Sequence, residues 1–189
     1  MQLFSMITVI LSIILGLGLA TLLKSFVAMF RSRGQGYLHW MPLAWAVCIF
    51  IFQVQFWWAL IEVQQLIHRW SLWQFLLLLI LTLLLFLASA LILPEKLEKN
   101  QKLLDEFHQD GQWALAIMVL YAAIASITDY LFWGFSGIGT IDWVLVGMET
   151  LLPIINLLTR KVWLETLTTI LYVLNCLISS LLLSPLSYS

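Results

Sequence analysis

The chain has 189 residues, of which 62% are hydrophobic and 10% charged, with a formal net charge of -1. Soluble domains carry about 25% charged residues, and a core of this size cannot hide so much apolar surface, so a water-soluble globular fold is excluded. The near-neutral balance also gives no electrostatic footprint for a nucleic-acid partner. The solvent these residues ask for is a bilayer, which a helix crosses with about 20 apolar residues.

Six apolar segments follow one another, over residues 3–30, 38–63, 72–93, 113–134, 141–158 and 162–183. The first has no basic residue ahead of its apolar run and no small-residue cleavage site, so a retained helix is expected rather than a signal peptide. Ser12, Gly16 and Ala20 recur on it at intervals of four. Such small residues are expected to form a seam where another helix approaches closely. Lys24 lies about one turn inside the end of this helix, where it either snorkels to the interface or pairs with Glu165.

The second segment contains "IFQVQFWWALIE", residues 51–62, in which apolar and polar residues alternate as in a half-buried strand. A strand can use lipid as solvent only in a closed barrel, and barrel strands are about 10 residues long with turns between them. Segments this long and continuous are helices, so Gln53 and Gln55 point about 200° apart. Cys48, Gln55 and Glu62, spaced seven apart, share one face.

The third segment, "FLLLLILTLLLFLASALIL", is nearly featureless and is expected to face lipid. The connector 94–112 is the one long polar stretch. Glu95–Lys99 and Glu98–Lys102 pair at i,i+4, and Leu97, Leu104 and Phe107 share a stripe. It reads as a short helix lying on the membrane surface or extending the fourth segment.

The fifth segment places Asp142, Glu149 and Asn156 seven apart on one face, with Pro153 freeing the Glu149 carbonyl one turn back. A charge at mid-bilayer costs about 2.5–3.5 kcal/mol on insertion scales, which makes Glu149 the most informative position. Gln55 falls near the same depth. Asp129 on the fourth segment, with Glu62 and Asp142, belongs to the outer third, an acidic vestibule that favours cations if the side chains converge. The sixth segment carries Thr168, Tyr172, Asn175 and Ser179 as a polar stripe facing protein.

Orientation follows from the basic residues. Eight of the nine mark one face and Arg69 the other, so that face is cytoplasmic and both termini lie outside. Tryptophan agrees: Trp40, Trp113 and Trp163 fall at inner ends, and Trp57, Trp58, Trp70, Trp73, Trp133 and Trp143 near outer ends, with Trp45 deeper. Indole rings prefer both headgroup levels.

What is missing narrows the chemistry. His39, His68 and His108 sit at interfaces or in the connector, and Cys48 and Cys176 lie in apolar runs without metal-type spacing. There is no cofactor motif, metal motif or nucleophile–base pair, so no enzyme activity is expected.

The run "GLGLATLLKSFVAMFRSRG", with "QVQFWWALIE" and "LPE" at 93–95, resembles an uncharacterised family of small multipass bacterial inner-membrane proteins. The resemblance covers mainly the first three segments. It implies a bacterial inner (plasma) membrane and carries no activity or site residue.

The expectation is an all-α polytopic protein, one six-helix transmembrane domain over 1–189. Two halves of three helices would be related by inverted topology, as in many transporters, although no residue-level repeat links them. The leading function is movement or sensing of a small cation, protons included, through a polar interior formed by Glu149, Asp142, Asn156, Gln55, Glu62 and Asp129. The alternative is a non-conducting scaffold or sensor subunit that docks a partner. Beyond the lipid bilayer, a homo-oligomer or a partner membrane or cytoplasmic protein fits these readings.

Overall fold

The computed structural model describes residues 2–31, 38–66, 70–94, 102–133, 140–159 and 161–182. Among these residues there are six long helices and no strand. They are α1 (Gln2–Arg31), α2 (Trp40–Leu66), α3 (Leu72–Leu91), α5 (Gln112–Trp133), α6 (Thr140–Leu158) and α7 (Val162–Leu182). A short α4 (Leu103–Glu106) enters α5 through a π-helical turn, Phe107–Gly111. Over its described residues 103–111 the connector therefore takes the second of its two expected forms and extends α5. Gly111 is needed in that turn, because a Cβ there would stand 2.6 Å from the Phe107 ring.

Five helices are long and apolar enough to cross a membrane, and the apolar stretch of α6, Trp143–Leu158, is shorter. By the length and composition of these helices the protein is a helical membrane protein. The Glu95–Lys99 and Glu98–Lys102 pairs, His68, Arg69 and residues 183–189 lie outside the described residues.

Consecutive helices run in opposite directions, and packing closes a ring in the order α1, α3, α5, α6, α7, α2, with α2 also touching α3 across it. Lys24, Arg31, Lys102 and Lys161 lie toward one end of the bundle, the basic end. Within the first half each of α1, α2 and α3 packs against both others, whereas α5, α6 and α7 form a row with α6 in the middle. The two halves therefore differ in packing, and the expected 3+3 arrangement has no counterpart in these contacts.

Two sequence expectations are corrected by α1 and α3. On α1 the buried positions are Leu11, Leu15, Gly18, Leu22, Ser25 and Met29. Their intervals alternate between four and three, so they stay on one stripe of a helix with 3.6 residues per turn. Ser12, Gly16 and Ala20 are spaced strictly by four and drift off it. Gly16 and Ala20 are exposed, and nothing lies within 4 Å of a Cβ added at Gly16. Close approach occurs at Gly18, where a Cβ would meet Gln53 Nε2 at 2.6 Å and the Phe86 backbone at 3.4 Å. Helix α3 faces lipid on one side only, where Leu76, Ile80, Leu83 and Leu87 are exposed. It lies between α1 and α5 and buries Leu78, Leu81, Thr82, Leu84, Leu85, Ala88 and Ser89. Lipid tails are as apolar as leucine, so a leucine run does not say which of the two it touches. Its start is marked by Ser71, whose N–H donates to Gln74 Oε1 at 3.0 Å, one half of a capping box.

The two glutamines part as their helical angle requires. Gln53 is fully buried and its Nε2 donates to Ser89 Oγ at 2.5 Å and to the Leu85 carbonyl at 3.4 Å, both on α3. Gln55 Nε2 donates to Ser180 Oγ on α7 at 2.8 Å.

Candidate functional site

A cavity of about 390 Å³ lies in the half of the bundle away from the basic end. It occupies the gap between α5 and α7 that the open row leaves, and α2 and α3 close its other side. Helix α2 supplies Gln55 and Glu62, two turns apart on one face. Helix α5 supplies Asp129, α6 Glu149 and α7 Ser179. Phe52, Phe56, Tyr121, Phe132 and Trp143 give aromatic wall, and among the described residues no Lys, Arg or His lines it.

Three carboxylates from three helices thus share one cavity. Asp129 is exposed to it, and Glu62 and Glu149 are half-buried. Pro153 lies inside α6 one turn beyond Glu149. Its ring nitrogen cannot donate to the Glu149 carbonyl, which leaves that oxygen available to another donor. Ser179, 2% exposed, stands beside the Glu149 carboxyl, yet its hydroxyl reaches no group in hydrogen-bond geometry. Buried hydroxyls are rarely left this way.

Toward the basic end the cavity is closed by rings. Trp45 stacks on Tyr172 with centroids 4.3 Å apart, and Phe52 meets Tyr172 at 6.2 Å and Tyr121 at 6.0 Å. Trp45, set deeper along its helix than the other tryptophans, is fully buried, and its Nε1–H donates to Thr169 Oγ1 at 3.1 Å.

Beyond the rings lies a second polar cluster. Glu165, 1% exposed, receives the Nε2 edge of His108 at 3.0 and 3.1 Å on its two oxygens. The π-helical turn puts His108 there by shifting the phase of the helix at its start. Thr168 and Thr169 donate to the Glu165 carbonyl at 3.0 and 2.7 Å. His39 is close by, and burial lowers its pKa from the ordinary value more than the Glu165 carboxylate raises it.

Asn156, expected on the same path as Glu149, belongs to this second cluster. Its Nδ2 donates to Thr168 Oγ1 at 3.0 Å and to the Glu165 carbonyl at 3.4 Å. It does share a face of α6 with Glu149, but seven residues are about 10 Å along a helix. Asp142 is placed in the first turn of α6 by its backbone, and its side chain is outside the described residues. The sequence reading missed the His108–Glu165 pair. The one available signal was Glu165 itself, a carboxylate with threonines three and four residues later in an apolar helix.

Compared with protein-family models, with curated proteins and with solved structures, the chain has no match.

Proposed function

We propose that this protein moves or senses a small cation, drawn from the carboxylate-rich end of the bundle to Glu149. The observation that carries this reading is a cavity that collects Gln55, Glu62, Asp129 and Glu149 from three helices, without a cationic side chain among the described residues that line it. Several carboxylates in a low-dielectric cleft attract and concentrate cations. The rings of Trp45, Tyr172, Phe52 and Tyr121 support a gated path rather than an open pore, since they separate the cavity from the His108–Glu165 cluster.

In this reading α6 is the sixth membrane crossing, the basic end is cytoplasmic by the one-sided placement of Lys and Arg, and both chain ends lie outside. The likeness of the first three helices supports a bacterial inner membrane. The test is cation-dependent flux in proteoliposomes, with the wild-type chain and with Glu149→Gln. The variant keeps shape and hydrogen bonding but cannot carry a negative charge, so flux is lost while thermal stability is kept. If the folded wild-type protein shows no flux and no cation binding, the reading is wrong and the scaffold or sensor subunit takes its place.

A further inference from the structure

The cavity is larger than a metal ion or a proton requires. Its volume of about 390 Å³ falls in the range of roughly 300–1,000 Å³ that encloses small organic ligands. A water molecule takes about 30 Å³, so a bare or partly hydrated inorganic ion would leave most of this space to solvent. Nor do the carboxylates gather as ligands: among the described residues, no group of three or more His, Cys, Asp or Glu side chains is placed to hold a metal ion.

The walls say what would fill the space. Phe52, Phe56, Phe132 and Trp143 present aromatic surface, with Leu60 and Val63 beside them. Carboxylates along an aromatic wall suit a positive charge carried on an apolar body, because the ring faces attract the cation while burying its hydrocarbon. The Ser179 hydroxyl adds a further contact. It is buried beside Glu149, so its oxygen can accept a hydrogen bond from a charged head held at that carboxylate.

We propose that the ligand is a protonated hydrophobic amine, with its ammonium N–H groups between Glu149 and Ser179 and its apolar body against Phe52, Phe56, Phe132 and Trp143. Asp129 and Glu62 draw it in by charge. This proposal rests on the cation reading above and names the class of cation.

The test is calorimetric titration of the purified full chain in nanodiscs, with empty nanodiscs subtracted. The probes are phenethylammonium, its N,N,N-trimethyl analogue, methylammonium and sodium, at fixed ionic strength. Phenethylammonium should bind on the order of tenfold tighter than methylammonium or more, the gain expected from burying a phenyl group. Glu149→Gln should weaken it on the order of tenfold, as loss of a charged hydrogen-bond acceptor does. Ser179→Ala should weaken phenethylammonium several-fold and leave the trimethyl analogue unchanged, since that analogue has no N–H to offer. Melting curves matching the wild type show that both variants are folded. Sodium or methylammonium binding as tightly as phenethylammonium overturns this ligand class and leaves the cation reading standing. Equal effects of Ser179→Ala on both arylalkyl cations overturn the assigned position of the head. No binding of any probe to folded protein overturns both proposals together.

Discussion

Gly18→Ala is the smallest perturbation that tests how the first three helices fit together. The added methyl would stand 2.6 Å from Gln53 Nε2 and 3.4 Å from the Phe86 backbone. The end of a flexible side chain ordinarily swings aside at little cost, but this one is pinned. Gln53 is fully buried, its amide donates to Ser89 Oγ and the Leu85 carbonyl, and its Oε1 already lacks a partner. Either α1 moves away from α3 or the amide gives up its bonds. Overpacking a core costs about 1–3 kcal/mol, and an intramembrane hydrogen bond about 0.6–2 kcal/mol. The combined loss is about 2–4 kcal/mol. For a chain of this size that lowers Tm by about 4–16 °C. The assay is thermal unfolding of the detergent-solubilised protein, with Gly16→Ala as the control, because nothing lies within 4 Å of a Cβ there. Gly16→Ala should be neutral. Gln53→Ala should make room for the methyl, so the Gly18→Ala, Gln53→Ala double variant should be no less stable than Gln53→Ala alone. A Gly18→Ala protein as stable as the wild type, or an equal loss at Gly16, would refute the packing argument.

Three further outcomes are expected. His108→Ala leaves the buried Glu165 carboxyl without the ring it meets at 3.0 Å. Breaking such a pair costs about 3 kcal/mol, and adding Glu165→Gln should recover most of the lost Tm; no recovery would argue against the pair. Trp45→Phe keeps the stack on Tyr172 and removes the Nε1–H bond to Thr169, a loss of about 1 kcal/mol; unchanged thermal stability would show that the bond contributes nothing. For topology, cysteines placed singly at Gln2, Gln101 and Ser187, in a background lacking Cys48 and Cys176, are probed with an impermeant thiol reagent on intact cells. Positions 2 and 187 should label and 101 should not, and labelling at 101 would overturn the proposed orientation.

Most of the helical architecture was legible in the residues themselves. In lipid every backbone polar group must be satisfied locally, so an apolar run of the right length has one spanning structure available outside a barrel. Helix positions followed from where Pro94, the glycines and the charged residues interrupt the apolar runs. The different fates of Gln53 and Gln55 followed from helical angle alone. The tryptophans expected at helix ends are exposed there, Trp40, Trp113 and Trp163 toward the basic end and Trp57, Trp58, Trp73 and Trp143 toward the other, as rings at headgroup level are.

Neighbours were another matter, because a bilayer removes the contrast that reveals them in water. A leucine facing lipid and a leucine facing protein look alike in sequence, so α3 read as peripheral and stands between α1 and α5. Small residues fit wherever a helix comes close, so the interval-of-four seam at Gly16 looked as good as Gly18 until the partners Gln53 and Phe86 were in place. Depth put Gln55 near Glu149 and set Glu62 and Asp129 in the outer third, but only the gap between α5 and α7 decided that all four share a cavity. The same packing stacked Trp45 on Tyr172 and turned His108 onto Glu165. Helical periodicity places a side chain on a face and at a depth; which helix stands opposite is fixed by contacts between residues far apart in the chain.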